Sequence, residues 1–233
     1  MAVTTQIDDG IAVVTMDDGG ANALGPERFD ELHAAFDDAG DDVTAFLVTG
    51  RPGMTTAGLD LKFMQTAGAE AVAALLVRFG TTMMRIWTEP RPTVLAATGH
   101  TLAAGTMLAM ACDHTVAARG QFWWGLTETQ INFTIPEFGI ALARANMRAD
   151  LLDDLLLPGA KVGPARAVEA GFADELAEPD EVLDRARAHA QSLAALPSQA
   201  YADTKRRLRG ATADHVRATL AADIASMDHF LGN

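Results

Sequence analysis

Cysteine is almost absent from this sequence, and basic charge is scarce. The single thiol, Cys112, cannot close a disulfide within the chain, which suits a reducing compartment. Against 31 Asp and Glu stand only 18 Lys and Arg, a formal net charge of −13. Phosphate backbones need a basic face, so no nucleic-acid partner is expected. An anionic small ligand is admissible where local Lys or Arg can receive it. The six histidines, at positions 33, 100, 114, 189, 215 and 229, show no metal-ligand spacing, and no metal is expected. The opening MAVTTQIDDG lacks a basic segment followed by an apolar one, so no leader is expected. No segment is of low complexity. Charge is missing altogether from Thr93 to Cys112, twenty residues, the length of a membrane span. That stretch holds Thr98, Gly99, His100, Thr101, Gly105 and Thr106, and its first part reads as a strand. It is therefore read as buried core, and a cytoplasmic protein with no membrane contact is expected.

What the chain has is apolar mass and alternation. Its 233 residues are 49% hydrophobic, enough to bury a substantial core. Asp9–Gly10 is a hairpin turn signal, so TTQI and IAVVTM should pair. Phe29, Leu32, His33 and Phe36 recur at helical spacing behind Pro26, which suits a first helical turn. AFLVTG (45–50) and TVLAATG (93–99) are short apolar runs ending in glycine, the pattern of buried strands, and HTVAARG (114–120) repeats it weakly. Helical stretches lie between and after them, at 69–87, 105–112 and 136–144. Strand, loop and helix in alternation predict an α/β architecture with buried parallel strands. From about Glu181 the chain reads as helical throughout, with two helices separated by PSQAYADTKRRLRG. Leu220, Ile224, Met227 and Phe230/Leu231 form an apolar stripe in the second helix, expected to pack on the core or on a neighbouring subunit.

Two joints share one design. In LVTGRPGMTTAGLDLKFM (47–64) a strand passes through glycine and small residues into a helix that Asp60 is placed to cap. In GHTLAAGTMLAMACD (99–113) Ala103, Ala104, Gly105 and Thr106 crowd the start of another helix. Small residues there permit close helix–sheet packing. They also leave free backbone N–H groups at helix starts, and two that converge on one oxygen make an oxyanion hole.

Taken together, these segments resemble the crotonase superfamily, the enoyl-CoA hydratase/isomerase proteins. GANALGPERFDEL is similar to that family's Asn-Ala-Leu segment and first helix. TTAGLDLKFM resembles its Ala-Gly-x-Asp-Leu-Lys motif. RPTVLAATGHTLAAGTMLAMACD resembles its Lys-Pro strand, glycine-rich turn and helix ending in Cys-Asp, and VGPARAVEAGFADEL its later Ala-x-x-x-Gly-Leu-Val motif. FWWGLTETQINFTIPEFGIALAR resembles the segment that carries the catalytic glutamate. The resemblance implies a spiral of ββα units over residues 1–190 and a C-terminal helical trimerisation region over 191–233. It further implies a homotrimer or dimer of trimers, and an acyl-CoA thioester as the bound partner. Coenzyme A is then part of the substrate, with no separate cofactor. By motif matching, the oxyanion donors are the N–H groups of Leu59 and Ala104, lined by Ala57, Gly58 and Ala103, and Lys62 lies near the CoA phosphates. Ala103 and Ala104 replace two of the family's three glycines, and alanine tolerates positive φ poorly.

Hydratases of the family use two glutamates. The position of the first is Met107 here, which exchanges no protons; the second matches Glu128. LTETQINFTIP resembles the Leu-Asn-Glu-Thr-Gln segment of Δ3-Δ2-enoyl-CoA isomerases, which also lack the first glutamate. Hydration needs one group to activate water and a proton delivered to C2. Moving a double bond from C3 to C2 needs one carboxyl that takes a proton from C2 and returns it at C4. An apolar Met107 beside Glu128 should keep water out and raise its pKa. Composition alone would make Glu128 a solvated loop carboxylate; the motif makes it the catalytic residue. Met107, Trp123, Trp124, Phe133, Ile135 and Phe138 line an acyl pocket or simply pack. His100 is read as structural, with substrate contact as the alternative, and Asp113 as a structural cap. Asp153 and Asp154 are read as a solvated face. KRRLR (205–209) is either solvated or offers charge to CoA phosphates.

Overall fold

The computed structural model describes residues 2–227. Strands β1 (Val3–Asp8) and β2 (Ile11–Met16) form the expected hairpin, with Asp9 and Gly10 both at positive φ. Helix α1 (Pro26–Asp37) follows and buries Phe29, Leu32 and Phe36. The chain then repeats a pattern. Strands β3 (Ala45–Thr49) and β4 (Gly53–Thr56) lead into α2 (Leu61–Thr66) and α3 (Ala69–Trp87). Strands β5 (Thr93–Ala97) and β6 (Gly99–Leu102) lead into α4 (Ala104–Ala111). Strands β7 (His114–Ala118) and β8 (Trp124–Gly125) lead through a 3-10 turn, Glu128–Ile131, into α5 (Glu137–Asn146). Helices α6 (Leu152–Leu156) and α7 (Pro164–Ala170), strand β9 (Glu175–Ala177) and helices α8 (Val182–Ala194) and α9 (Ser198–Ala225) complete the chain.

Each turn of this ββα spiral gives one strand to each of two sheets. The larger sheet runs β1-β2-β3-β5-β7-β9, parallel from β2 onward, and the smaller runs β4-β6-β8, all parallel. Side chains alternate across the larger sheet. Ala45, Leu47, Val94, Ala96 and Val116 face Val182, Ala186 and Ala190 of α8. Phe46, Val48, Leu95, Ala97 and Ala117 enter the main core with α1, α3, α4 and α5. Burial on both faces is why these strands read as continuous apolar runs.

In the C-terminal region one expectation changes and one open alternative is decided. The segment PSQAYADTKRRLRG is no separator: α9 starts at Ser198 and runs through it for 28 residues. After Pro197 the segment is rich in Ala, Lys and Arg, all helix formers, and lone Gly210 does not break it. Leu220, Ile224 and Met227 are buried by this chain itself, against α3 and α5. A β-carbon on Gly80 of α3 would stand 2.6 Å from Leu220 Cδ1 and 2.9 Å from Phe138 Cδ1, so the helices meet where the side chain is missing. Phe230 and Leu231 lie outside the described residues. The division at residue 190 falls inside α8. No helix among the described residues is long and apolar enough to cross a membrane, and Thr93–Cys112 is β5, β6 and α4 of the core.

Candidate active site

The two small-residue joints meet. Gly58 follows β4 with φ +101, a conformation that suits glycine. A β-carbon there would stand 3.0 Å from Ala103 Cβ, 3.0 Å from Leu102 O and 3.4 Å from Ala104 N. Small size at 58, 103 and 104 is thus what lets the two loops touch. The bridge between Leu24 and Leu59 uses Gly58 O and Asp60 N, at 2.8 and 3.1 Å. That pattern turns the N–H of Leu59 away from its partner. Ala104 opens α4, where a helical N–H has no partner of its own. Neither amide makes a hydrogen bond among the described residues. Two free donors thus stand on adjoining loops.

The alanines in place of glycine are accommodated unequally. Ala104 takes an ordinary helical position, and Ala103 carries the awkward turn at φ +49, ψ −115. Its N–H donates to Gly125 O at 2.8 Å and its carbonyl accepts from Met107 N at 3.1 Å, which hold that conformation in place. Asp60 caps α2 as expected, its Oδ1 accepting from Phe63 N at 3.0 Å. Lys62, in the first turn of α2, is exposed and makes no ion pair among the described residues. Ala57 is exposed as well.

Glu128 is brought to this region by strand order. Leu102 pairs with Gly125, so Ala104 and Glu128 lie two and three residues beyond neighbouring strand positions. The turn is fixed by Phe133 N donating to Glu128 O at 3.0 Å and by Asn132 at φ +59. The Glu128 side chain is buried, with 4% of the residue exposed, and its Oε2 has no hydrogen-bond partner among the described residues. Burial pushes its pKa from 4.5 up to about 7, opposed only by its own backbone N–H. A solvated loop carboxylate would do neither.

Met107 is fully buried on α4. A β-carbon on Gly139 of α5 would stand 2.8 Å from Met107 Cε and 2.9 Å from Ile135 Cγ2. Gly139 thus makes room for the thioether, a part the motif comparison passed over; a lone glycine inside the apolar helical run EFGIALAR is its trace in the sequence. Trp124 is fully buried in β8 and bridges to Val162, whereas Trp123 is half exposed. Phe138 meets Phe79 edge-on at 4.8 Å, inside the packing of α3, α5 and α9. His100 accepts a hydrogen bond from Trp123 N at Nδ1, 3.1 Å, and lies edge-on to Phe122, a structural placement. Asp153 and Asp154 are exposed. Lys205 is not free for phosphate: it is buried and reaches Asp113 Oδ2 at 2.6 Å, Glu89 O and Arg91 O. Arg209 takes Asp113 Oδ1 at 2.7 Å. Asp113 also accepts from Thr93 N, so it fastens α9 to the start of β5. No group of three or more His, Cys, Asp or Glu among the described residues is arranged to hold a metal ion.

A model of the enoyl-CoA hydratase/isomerase family matches residues 6–232. The chain belongs to that family. It is 34% identical over 196 residues to a protein named as an enoyl-CoA hydratase in Thermus thermophilus, covering 81% of this chain and 77% of that one. An enoyl-CoA hydratase structure from Mycobacterium tuberculosis superposes with a TM-score of 0.93 at 32% identity over the full length of both chains. A second structure of that same mycobacterial protein is described as an enoyl-CoA isomerase. Human mitochondrial Δ3-Δ2-enoyl-CoA isomerase superposes with a TM-score of 0.93 at 26% identity, covering 99% of this chain and 92% of that one. The fold is the crotonase fold, and members of this enoyl-CoA hydratase/isomerase family are enzymes named for both reactions.

Proposed function

We propose that this enzyme shifts the double bond of 3-enoyl-CoA to 2-enoyl-CoA, with Glu128 as the only proton shuttle. The observation that carries the reading is a buried Glu128 carboxyl, its Oε2 without a hydrogen-bond partner among the described residues, on a chain whose position 107 is methionine. The ionised carboxylate takes a proton from C2, and the electron pair moves into the thioester to give a dienolate. The N–H groups of Leu59 and Ala104 hold its oxygen. The protonated Glu128 then gives the proton back at C4, and the double bond settles between C2 and C3. A pKa near neutrality suits a group that must act first as base and then as acid. The step moves a proton and calls for no metal or redox cofactor; coenzyme A arrives as part of the substrate. Ala57, Gly58 and Ala103 frame the thioester, Met107, Trp124, Ile135 and Phe138 bound the acyl side, and Lys62 receives CoA phosphate. A homotrimer or dimer of trimers is the assembly the resemblance implies.

The hydratase names among the relatives favour a second reading, water addition to 2-enoyl-CoA, and a non-catalytic acyl-CoA binder is the third. Product chromatography on both esters separates them. Wild type should convert 3-enoyl-CoA to 2-enoyl-CoA, and Glu128→Gln should lose about 10²–10⁴ in rate while keeping ester binding. Undiminished isomerisation by Glu128→Gln would end the proposal. A 3-hydroxyacyl product from wild type would favour the hydratase, and no turnover of either ester the binder.

A further inference from the structure

Thr106 lies between the two halves of the machinery and belongs to neither. It is fully buried in the first turn of α4, two residues after the Ala104 amide and just before Met107. Its hydroxyl donates to Thr101 O of β6 at 2.7 Å and accepts from Gly125 N of β8 at 3.2 Å. One side chain thus joins the helix that presents an oxyanion donor, the strand that leads into it, and the strand that leads to Glu128.

The contact sits where the regular ladder gives out. Thr101 pairs with Trp124 and Leu102 with Gly125, and no pair follows. Gly125 turns sharply there, at φ +142, with the carbonyl of Ala160 where a β-carbon would go. Its carbonyl is taken by Ala103 N. Its N–H is buried; besides its ladder partner, Thr101 O, it reaches the Thr106 hydroxyl at 3.2 Å. A buried N–H must be paired, and where the ladder ends the hydroxyl adds a second acceptor that ties Gly125 to α4. Three residues later comes Glu128.

We infer that Thr106 is a positioning residue: its hydroxyl sets the distance between the oxyanion donor Ala104 and the carboxyl of Glu128. It touches neither substrate nor proton. The inference rests on Glu128 and the oxyanion amides acting together, and it is indifferent to whether the product is the isomer or the hydrate. Misplacement of reacting groups by about 1 Å costs on the order of 10²-fold in rate.

The test uses Thr106→Val, which keeps the shape and removes the hydroxyl, and Thr106→Ser, which restores it. Steady-state rates are measured on whichever enoyl-CoA ester the wild type turns over. Acyl-CoA affinity is measured by calorimetry, and amide hydrogen exchange over residues 123–128 is followed in each protein. Thr106→Val should lose roughly 10–100-fold in kcat with KM and acyl-CoA affinity within about threefold. Exchange at 123–128 should quicken. Thr106→Ser should stay near wild type in all three. Unchanged kcat in the valine variant would overturn the inference, as would a loss confined to affinity, or a serine variant as impaired as valine. Unaltered exchange at 123–128 in Thr106→Val overturns it even for a chain that turns nothing over. If the valine variant does not fold, the serine variant alone decides. Failure of the isomerase reading shows instead in the identity of the wild-type product.

Discussion

Glu128 is the residue on which charge, burial and chemistry meet, and its pKa has consequences at either end. As a base it must be ionised, so kcat/KM for isomerisation should rise with pH and level off above about 7. Stability runs the other way. A carboxyl whose folded pKa is raised contributes fully below 4.5 and loses that contribution as pH climbs through about 7. Glu128→Gln removes the charge, so thermal or urea unfolding should show it level with wild type near pH 4.5 and more stable at pH 8. The gap from 4.5 to 7 sets a ceiling of about 3 kcal/mol. A variant no more stable than wild type at pH 8 would mean that the carboxylate finds solvent. Met107→Glu carries the same logic further. Two nearby carboxyls push one pKa up, leaving one acid and one base, the pair that hydration needs. A trace of 3-hydroxyacyl-CoA from 2-enoyl-CoA is the expected gain, read by chromatography; its absence alongside an intact fold would put Met107 too far from Glu128 to share a proton.

Among the elements, α2 offers an exposed cation next to the paired loops. Lys62 stands exposed in its first turn, on a strongly acidic chain, whereas Lys205 and Arg209 of the rival KRRLR segment are drawn inward to Asp113 and its Arg206 and Arg207 stay exposed. Lys62→Ala should weaken CoA-ester binding about two- to fivefold at low salt, with the difference shrinking as salt rises. Calorimetry at two ionic strengths checks it, and equal affinities would take Lys62 out of the site. What the sequence shows of such elements depends on how local their causes are. The Asp60 cap, the hairpin at Asp9–Gly10 and the stripe of α1 depend on residues a few places apart, and each is legible. The extent of α9 is not, because a polar, basic segment looks like a linker until Asp113, 92 residues from Lys205, is seen to receive it. The roles of Gly80, Gly139 and Thr106 are hidden for the same reason: each is defined by a partner on another element.

At the scale of the molecule, the α/β architecture and the paired loops are visible in the order of strands, glycines and helices, and the motifs point to Glu128, Leu59 and Ala104. The meeting of those loops, Gly58 against Ala103 and Ala104, is a property of the folded spiral. The fate of the C-terminal stripe is also settled only in three dimensions. Leu220 and Ile224 complete this chain's own core, so Leu220→Ala should cost about 2–5 kcal/mol of stability whatever the assembly. Unfolding in denaturant would measure it, and a loss under about 1 kcal/mol would show α9 to be dispensable to the fold. The central claim, one carboxyl carrying one proton from C2 to C4, is tested most directly by an isotope. 3-Enoyl-CoA bearing deuterium at both C2 positions is turned over in ordinary water, and the product is examined by mass spectrometry and NMR. The account predicts 2-enoyl-CoA with part of the deuterium transferred to C4, because the carboxyl that takes the C2 label belongs to a buried residue and is the group that returns it. A 3-hydroxyacyl-CoA product, or a C4 supplied wholly from solvent, would contradict it.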